Sequence, residues 1–319
     1  MKKIVVFGGG TGLSCLLEGL TKFPVDVTTV IAVSDNGSST GVLRKELDIP
    51  AVGDIGKVLI SMANVDDEFL DLLRYRFAKD GSLHNHPVRN IMLAALIDMK
   101  GSLTEATRYM CKILKIKGTV LPLTEDSVDL VGENSAHEQA FFGEEAVSAN
   151  VRNIARLSYD RDVHVSLEVV SKIMEADLII FSPGSLYTSI LPHLIVDDVV
   201  EALRKSKAPI MYVSNLVTQP GETDRYSVSD HLRVLNRYLR YRHVDIVLAN
   251  NSQIDSAVRD RYMSLEEKTI VGLDREEVTA LGTQIIEDGI ICMDDEGRIR
   301  HDAMKAAFLI FSYLMGMEK

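Results

Sequence analysis

Ile4 to Phe7 is a short apolar run that predicts a buried strand, and Leu13, Leu16, Leu17 and Leu20 behind it recur at helical spacing. Four glycines, Gly8, Gly9, Gly10 and Gly12, separate the two. A second apolar run, Val27 to Val33, predicts another strand. The same alternation returns in the second half, with strands over 177–181, 209–213 and 245–249 and helices over 197–205 and 229–239. Strands alternating with helices predict an α/β fold with a doubly wound, mostly parallel Rossmann-like sheet.

The middle of the chain is less periodic. Residues 58–80 and Ile91 to Met99 predict helices, and Ser102-Leu-Thr-Glu105 is a capping-box pattern opening a helix to about Ile116. Thr119 to Leu123 and Val128 to Gly132 read as an antiparallel pair. Residues 133–165 are the least regular, so an excursion from the sheet is expected around 119–165 rather than a separate linker. A last helix is expected over 303–315.

With 319 residues, 46% of them hydrophobic, the chain can bury a large core as one large or two small domains. No signal-peptide pattern is present and no apolar run reaches the roughly 20 residues of a membrane span. Three dispersed cysteines, none in a C-x-x-C pair, fit reduced thiols in a cytoplasmic protein. The net charge of −11 argues against a nucleic-acid surface. Any phosphate must then be held by local groups and backbone N–H. A homodimer is the default oligomer.

Each predicted strand ends in a polar loop. Strand, glycines and helix N-terminus over 4–13 form the layout that holds a phosphate, because glycine admits close approach and the first helical N–H groups lack intrahelical partners. It is not the dinucleotide fingerprint, since Leu13 stands at the third glycine, and no Gly-Lys-Ser/Thr makes it a P-loop. After the second strand comes Ser34-Asp35-Asn36-Gly37-Ser38-Ser39-Thr40-Gly41, whose only charge, Asp35, suits a ribose hydroxyl or a hydrated Mg²⁺. Pro50-Ala-Val-Gly53-Asp54-Ile-Gly56-Lys57 reads as another glycine turn. His86, Arg89 and Asn90 sit at a helix start as candidate ligand contacts; the two histidines at 84 and 86 lack zinc-ligand geometry. Later strands end in Ser182-Pro-Gly184-Ser185-Leu-Tyr-Thr-Ser189 and Asn215-Leu-Val-Thr218-Gln219-Pro-Gly-Glu-Thr223. Ser185 is not in a G-x-S-x-G elbow, and no catalytic triad or dyad is visible from spacing. Arg300, before the last helix, can reach a phosphate or form a surface pair.

Four of these motifs in this order, Gly8-Gly-Gly-Thr-Gly12, Ser34 to Ser39, Ser182 to Ser189 and Asn215 to Thr223, resemble the CofD-like superfamily nearly end to end. Within it the chain is similar to the YvcK type, the gluconeogenesis factors of bacteria. The resemblance implies one CofD-like domain over 1–319. Three departures stand out. The usual Ser-Asp-Asp-Gly-Gly-Ser carries Asn36 and Ser38. The usual Pro-Pro-Gly-Asp-Ile-Arg-Asn ends here in Gly56-Lys57. The usual Gly-Asn after the histidine is Arg89-Asn90.

The resemblance implies two functions of different class. CofD enzymes transfer a phospholactyl group from a nucleotide diphosphate ester to a deazaflavin with Mg²⁺. YvcK-type proteins look like UDP-sugar-binding regulators that support cell shape and wall synthesis during gluconeogenic growth. The expectation taken forward is the regulator, with no catalytic residue. The transferase is the first alternative, and an NAD-binding protein is the second. On this reading Gly9, Gly10, Thr11, Gly12, Gly184 and Ser185 face a diphosphate, with Asn36, Ser38 and Ser39 in the adjoining loop. Asp35 holds a ribose or a metal water, and Asn215, Thr218 and Gln219 read base or sugar. The partners expected are a small-molecule nucleotide ligand and a second copy of the chain, with no nucleic acid and no membrane.

Overall fold

The computed structural model describes residues 1–134 and 139–316, without the side chains of Ser38 and Asn153. In chain order the first half runs β1 (Lys2–Gly8), α1 (Gly10–Leu20), β2 (Val25–Ile31), α2 (Ser38–Leu47), α3 (Gly53–Ser61), α4 (Asp67–Arg74), α5 (Val88–Lys100), α6 (Leu103–Ile113) and β3 (Thr119–Pro122). An excursion follows: β4 (Leu130–Glu133), β5 (Ala140–Phe142), α7 (Glu144–Asn150) and β6 (Arg156–Tyr159). The second half runs α8 (Leu167–Glu175), β7 (Leu178–Phe181), α9 (Leu191–Leu194), α10 (Asp197–Lys205), β8 (Ile210–Val213), α11 (Val228–Leu239) and β9 (Ile246–Asn250). It ends with α12 (Ser256–Glu266), α13 (Arg275–Ala280), β10 (Gln284–Asp288), the hairpin β11 (Ile291–Met293) and β12 (Ile299–His301), and α14 (Ala303–Leu314).

Seven strands make one sheet in the order β10-β9-β8-β7-β1-β2-β3, and every pairing in it is parallel. Alternation along β1 divides the core. Ile4 and Val6 face a layer with α1, α3, α5, α6 and α14, whereas Val5 and Phe7 face a layer with α8, α10 and α11. Helices on both faces make the fold doubly wound, and they explain why the strands read as continuous apolar runs. The chain leaves β1 toward β2 and β3, then returns to β7 and proceeds the other way. The switch point therefore lies between β1 and β7, the place where open α/β sheets form a crevice beyond the strands' carboxyl ends.

Several sequence expectations need correction. Thr119 to Leu123 does not pair with Val128 to Gly132. β3 joins β2 in the main sheet, and β4 instead lies between β5 and β6 in a separate antiparallel sheet. Apolar content alone does not say which sheet takes a strand. The helix expected over 58–80 is broken: α3 ends at Ser61, and Asp66 caps α4 by accepting from Phe69 N–H. The polar loop of 34–41 is shorter than expected because α2 starts at Ser38, and 53–57 is the first turn of α3 rather than a loop. Ser102 does accept from Glu105 N–H, but the Glu105 carboxylate turns to Arg108, so only half of the capping box forms. Of the 133–165 stretch, residues 135–138 lie outside those described.

Candidate functional site

A cavity of about 530 Å³ opens at the switch point. Gly9 to Gly12, Pro183 to Ser185, Asn215, Gln219 and Glu222 line it, so the loops after β1, β7 and β8 meet in one place. The β11–β12 hairpin adds Arg300 and His301 on one side, and α3 and α7 add Asp54, Lys57 and Glu144 on the other.

Glycine is required where the first two loops touch. A Cβ at Gly12 would lie 2.2 Å from the Pro183 carbonyl oxygen, and one at Gly8 would lie 2.0 Å from Ser182 Oγ. Gly10 differs. It has φ +65° and open space around its would-be Cβ. Gly9 stands at the N-cap of α1 without a side-chain cap, and no acid occupies the first turn. The first N–H groups of α1 therefore face the cavity uncapped, which is the arrangement that attracts an anion.

The β7 and β8 loops are braced by their own side chains. Asn215 Oδ1 accepts from Gly184 N–H at 3.0 Å, and Asn215 Nδ2 donates to Gly184 O at 2.8 Å. Both residues line the cavity, and here the Gly184 N–H and the Asn215 amide engage each other. Glu222 is buried and accepts from Ser185 Oγ and from Tyr187 N–H, both at 2.7 Å. Burial pushes its carboxyl up to about 7, against those bonds. Ser185 Oγ also accepts from Thr188 Oγ1. Gln219 lines the cavity with a sealed Oε1 that has no partner. Thr218 is buried outside the lining. Its Oγ1 lies 3.1 Å from Thr269 Oγ1 and accepts from Thr269 N–H, so it joins two backbone segments instead of reading a ligand. Arg300 lines the cavity but donates Nε–H to Asp294 at 3.1 Å.

The loop after β2 forms the outer shoulder, not the lining. Asp35 Oδ1 accepts from Gly37 N–H at 2.8 Å. Asn36 Oδ1 accepts from Glu145 N–H at 3.2 Å, so Asn36 caps α7 from outside where Gly143 cannot. Ser39 is buried; its Oγ lies 2.8 Å from His86 Nδ1 and accepts from Asn90 Nδ2 at 3.3 Å. Asn36, Ser39 and His86 thus hold helices together and lie outside the cavity lining. The side chain of Ser38 lies outside those described.

Glu144 was not anticipated. Burial, with Asp35 and then Asp54 beside it, pushes its carboxyl up to about 8, and it is bonded to Asp35. Nothing in Phe142-Gly-Glu-Glu145 distinguishes an acid facing a cleft from one facing solvent, so no local signal could have found it. Asp54 Oδ1 accepts from Lys57 Nζ at 2.8 Å. The oxygens of Asp35, Asp54 and Glu144 suit Mg²⁺ in kind. Among the described residues, however, no group of three His, Cys, Asp or Glu side chains is spaced to hold a metal ion.

The 2-phospho-L-lactate transferase CofD family matches residues 4–291. The chain belongs to the CofD family. It is 39% identical over 313 residues to the gluconeogenesis factor of Bacillus subtilis, spanning 98% of each chain, and 36% identical to that of Halalkalibacterium halodurans over 96% of this chain and 94% of that one. A solved UPF0052-family protein from Bacillus halodurans superposes on this CofD-family chain with a TM-score of 0.91 at 37% identity, covering 97% of this chain and 99% of the other. No helix among the described residues is long and apolar enough to cross a membrane.

Proposed function

We propose that this CofD-family protein binds a nucleoside diphosphate ligand of the UDP-sugar class at the switch point and acts as a ligand-sensing regulator, as the name of its gluconeogenesis-factor relatives suggests. The observation that carries this reading is the uncapped N-terminus of α1 facing the 530 Å³ cavity, with glycine at each point where the backbone must come close. The diphosphate takes the free α1 amides. The Gln219 carboxamide and Arg300 lie within the same cavity for base or sugar. Regulation of cell shape and wall synthesis is the role proposed for the bound state.

A transferase reading has one observation in its favour, the acids Asp35, Asp54 and Glu144 grouped beside Gly9. In that reading the acids would hold Mg²⁺ through water, and the ion would neutralise phosphate charge.

Calorimetric titration with UDP-sugars and with NAD tests the main reading, using Gly10→Val as the variant. Gly10 has room for a side chain but an unfavourable φ, so the fold survives at a cost of about 1–2 kcal/mol. The new side chain stands where the phosphate belongs, and UDP-sugar binding is lost. Unchanged affinity in the folded variant returns the glycine turn to a packing role.

A further inference from the structure

Of the side chains that brace the β7 and β8 loops, one keeps an atom in reserve. Glu222 is 5% exposed and lines the cavity at the switch point. Its Oε1 accepts from Ser185 Oγ and from Tyr187 N–H, both at 2.7 Å, and Leu186 N–H stands against the same carboxyl. Its Oε2 makes no hydrogen bond with any described residue, yet it is not sealed from solvent. A carboxyl that served only the loops would use both oxygens, because acceptors removed from water are paired. Glu222 instead has one oxygen fixed in the protein and the other open to the cavity.

The surroundings of that oxygen limit what it can take. Burial pushes the carboxyl up to about 7, against the bonds from Tyr187, Ser185 and Leu186, and no cation of the chain contributes to holding its charge. The open oxygen therefore calls for a donor that the ligand must bring. The loops say where that donor lies. Ser185 follows Gly184 directly, and the Pro183 carbonyl oxygen would lie 2.2 Å from a Cβ at Gly12. The carboxyl thus stands one loop away from the α1 amides. In a UDP-sugar the groups that flank the diphosphate are the ribose and the hexose, and both carry hydroxyls. The base is a poorer donor, since the ring N–H of uracil lies between two carbonyl oxygens that a carboxylate repels.

We propose that Glu222 reads the sugar of the ligand: its Oε2 accepts a hydrogen bond from a hydroxyl next to the diphosphate, on the ribose or on the hexose. This rests on the nucleotide reading of the cleft. A hydroxyl bonded to a carboxylate in a shielded site makes a strong, charge-assisted contact. Because Oε1 is held by Ser185 and Tyr187, the carboxyl cannot turn to suit a different ligand, so a nucleotide without that hydroxyl leaves the open oxygen unpaired.

Glu222→Gln is the test, because it keeps the acceptor facing Ser185 and Tyr187 and turns only the open oxygen into an amide donor. UDP-glucose, UDP and 2′,3′-dideoxy-UDP are titrated calorimetrically into wild type and the variant, with thermal melts to show that the variant folds. UDP-glucose is expected to bind the variant about tenfold or more weakly than wild type. A penalty that persists with UDP and vanishes with 2′,3′-dideoxy-UDP assigns the hydroxyl to the ribose. One confined to UDP-glucose assigns it to the hexose. Equal UDP-glucose affinity in wild type and the folded variant overturns the proposal and leaves the nucleotide reading standing. A penalty of the same size for all three ligands also overturns it, since Glu222 then acts only through the loops it braces. If wild type binds none of the three, the nucleotide reading falls and the proposal falls with it. Should the variant fail to fold, the wild-type series decides. A loss of about tenfold or more on removing the ribose hydroxyls or the hexose upholds the proposal, and affinity unchanged across the three ligands overturns it.

Discussion

The two walls of the cleft handle their polar groups in opposite ways. On the wall built by β1, β7 and β8, the side chains are spent on the loops: Asn215 clamps Gly184, Glu222 holds Ser185 and Tyr187, and Thr218 joins Thr269. What remains open to a ligand there is mainly backbone, the uncapped start of α1. On the side built by α3 and α7, with the loop after β2 behind them, charges remain in excess. Asp35, Asp54 and Glu144 crowd together there. A rigid backbone cradle with exhausted side chains binds by position. A wall of crowded charge responds to pH and to ions. The difference suggests a division of labour, with recognition of the diphosphate on the first wall and sensitivity to what accompanies it on the second.

The first wall should break at its closest contact. Gly12→Ala places a Cβ 2.2 Å from the Pro183 oxygen and 2.7 Å from its carbonyl carbon. No flexible side chain can yield there, so the α1 and β7 loops must separate. The expected loss of stability is about 3 kcal/mol or more, read by urea denaturation. A near-neutral result would mean that the two loops are not held in register.

Asn215→Ala is the next largest effect. It removes both bonds to Gly184 and leaves a shielded N–H and C=O unpartnered, which should cost about 2–3 kcal/mol. UDP-sugar affinity should fall with it although Asn215 is spent on the backbone. If affinity falls and stability does not, Asn215 contacts the ligand directly and the clamp is secondary.

The sequence made one wall far more legible than the other. Glycine motifs at strand ends are local signals, and β1, β7, β8 and β9 lie within two residues of the strands that the apolar runs predict. The helix at 197–205 was readable to the residue because its apolar face repeats cleanly. The second wall is assembled from distant segments. Glu144 arrives from the excursion, and Asn36 is explained by the N-terminus of α7, a contact across more than a hundred residues. Small polar residues such as Ser38 to Gly41 read as loop, yet they start α2, because tertiary packing overrides weak local propensity.

A smaller effect tests the charged wall by pH. The Glu144 carboxyl sits at about 8 in the fold, against an ordinary 4.5. Between these values the folded state keeps a proton that the unfolded chain releases, so stability falls as pH rises from about 5 to 8. Glu222, at about 7, contributes in the same direction. Glu144→Gln removes the first contribution. Its melting temperature should decline less steeply over this range, and it should exceed that of wild type most at pH 8. Parallel pH profiles would mean that the three carboxyls are farther apart in solution than their geometry implies.

The smallest expected effect decides between regulator and transferase. Charge neutralisation in phosphoryl-type transfer normally requires Mg²⁺ held by at least one carboxylate. Each acid beside the glycine loop is already engaged: Asp54 with Lys57, Asp35 with Gly37 N–H, and Glu144 with a proton at neutral pH. The α1 amides carry no such cost, and they bind a diphosphate with or without a cation. Replacing Mg²⁺ with EDTA should therefore change UDP-sugar affinity by less than about threefold, the nucleotide should be recovered unaltered by ion-exchange chromatography after long incubation, and Asp35→Asn, whose carboxylate lies outside the lining and accepts from Gly37 N–H, should change affinity by less than about threefold as well. Asn36→Asp sharpens the test. An aspartate there can still accept from Glu145 N–H and so keep α7 capped, while adding a negative charge beside Asp35. If that variant gains Mg²⁺ dependence and wild type has none, the charged wall is one acid short of a metal site. If wild type already loses its ligand in EDTA, and incubation with an acceptor releases a nucleoside monophosphate, the division between the walls is wrong and the acids belong to catalysis.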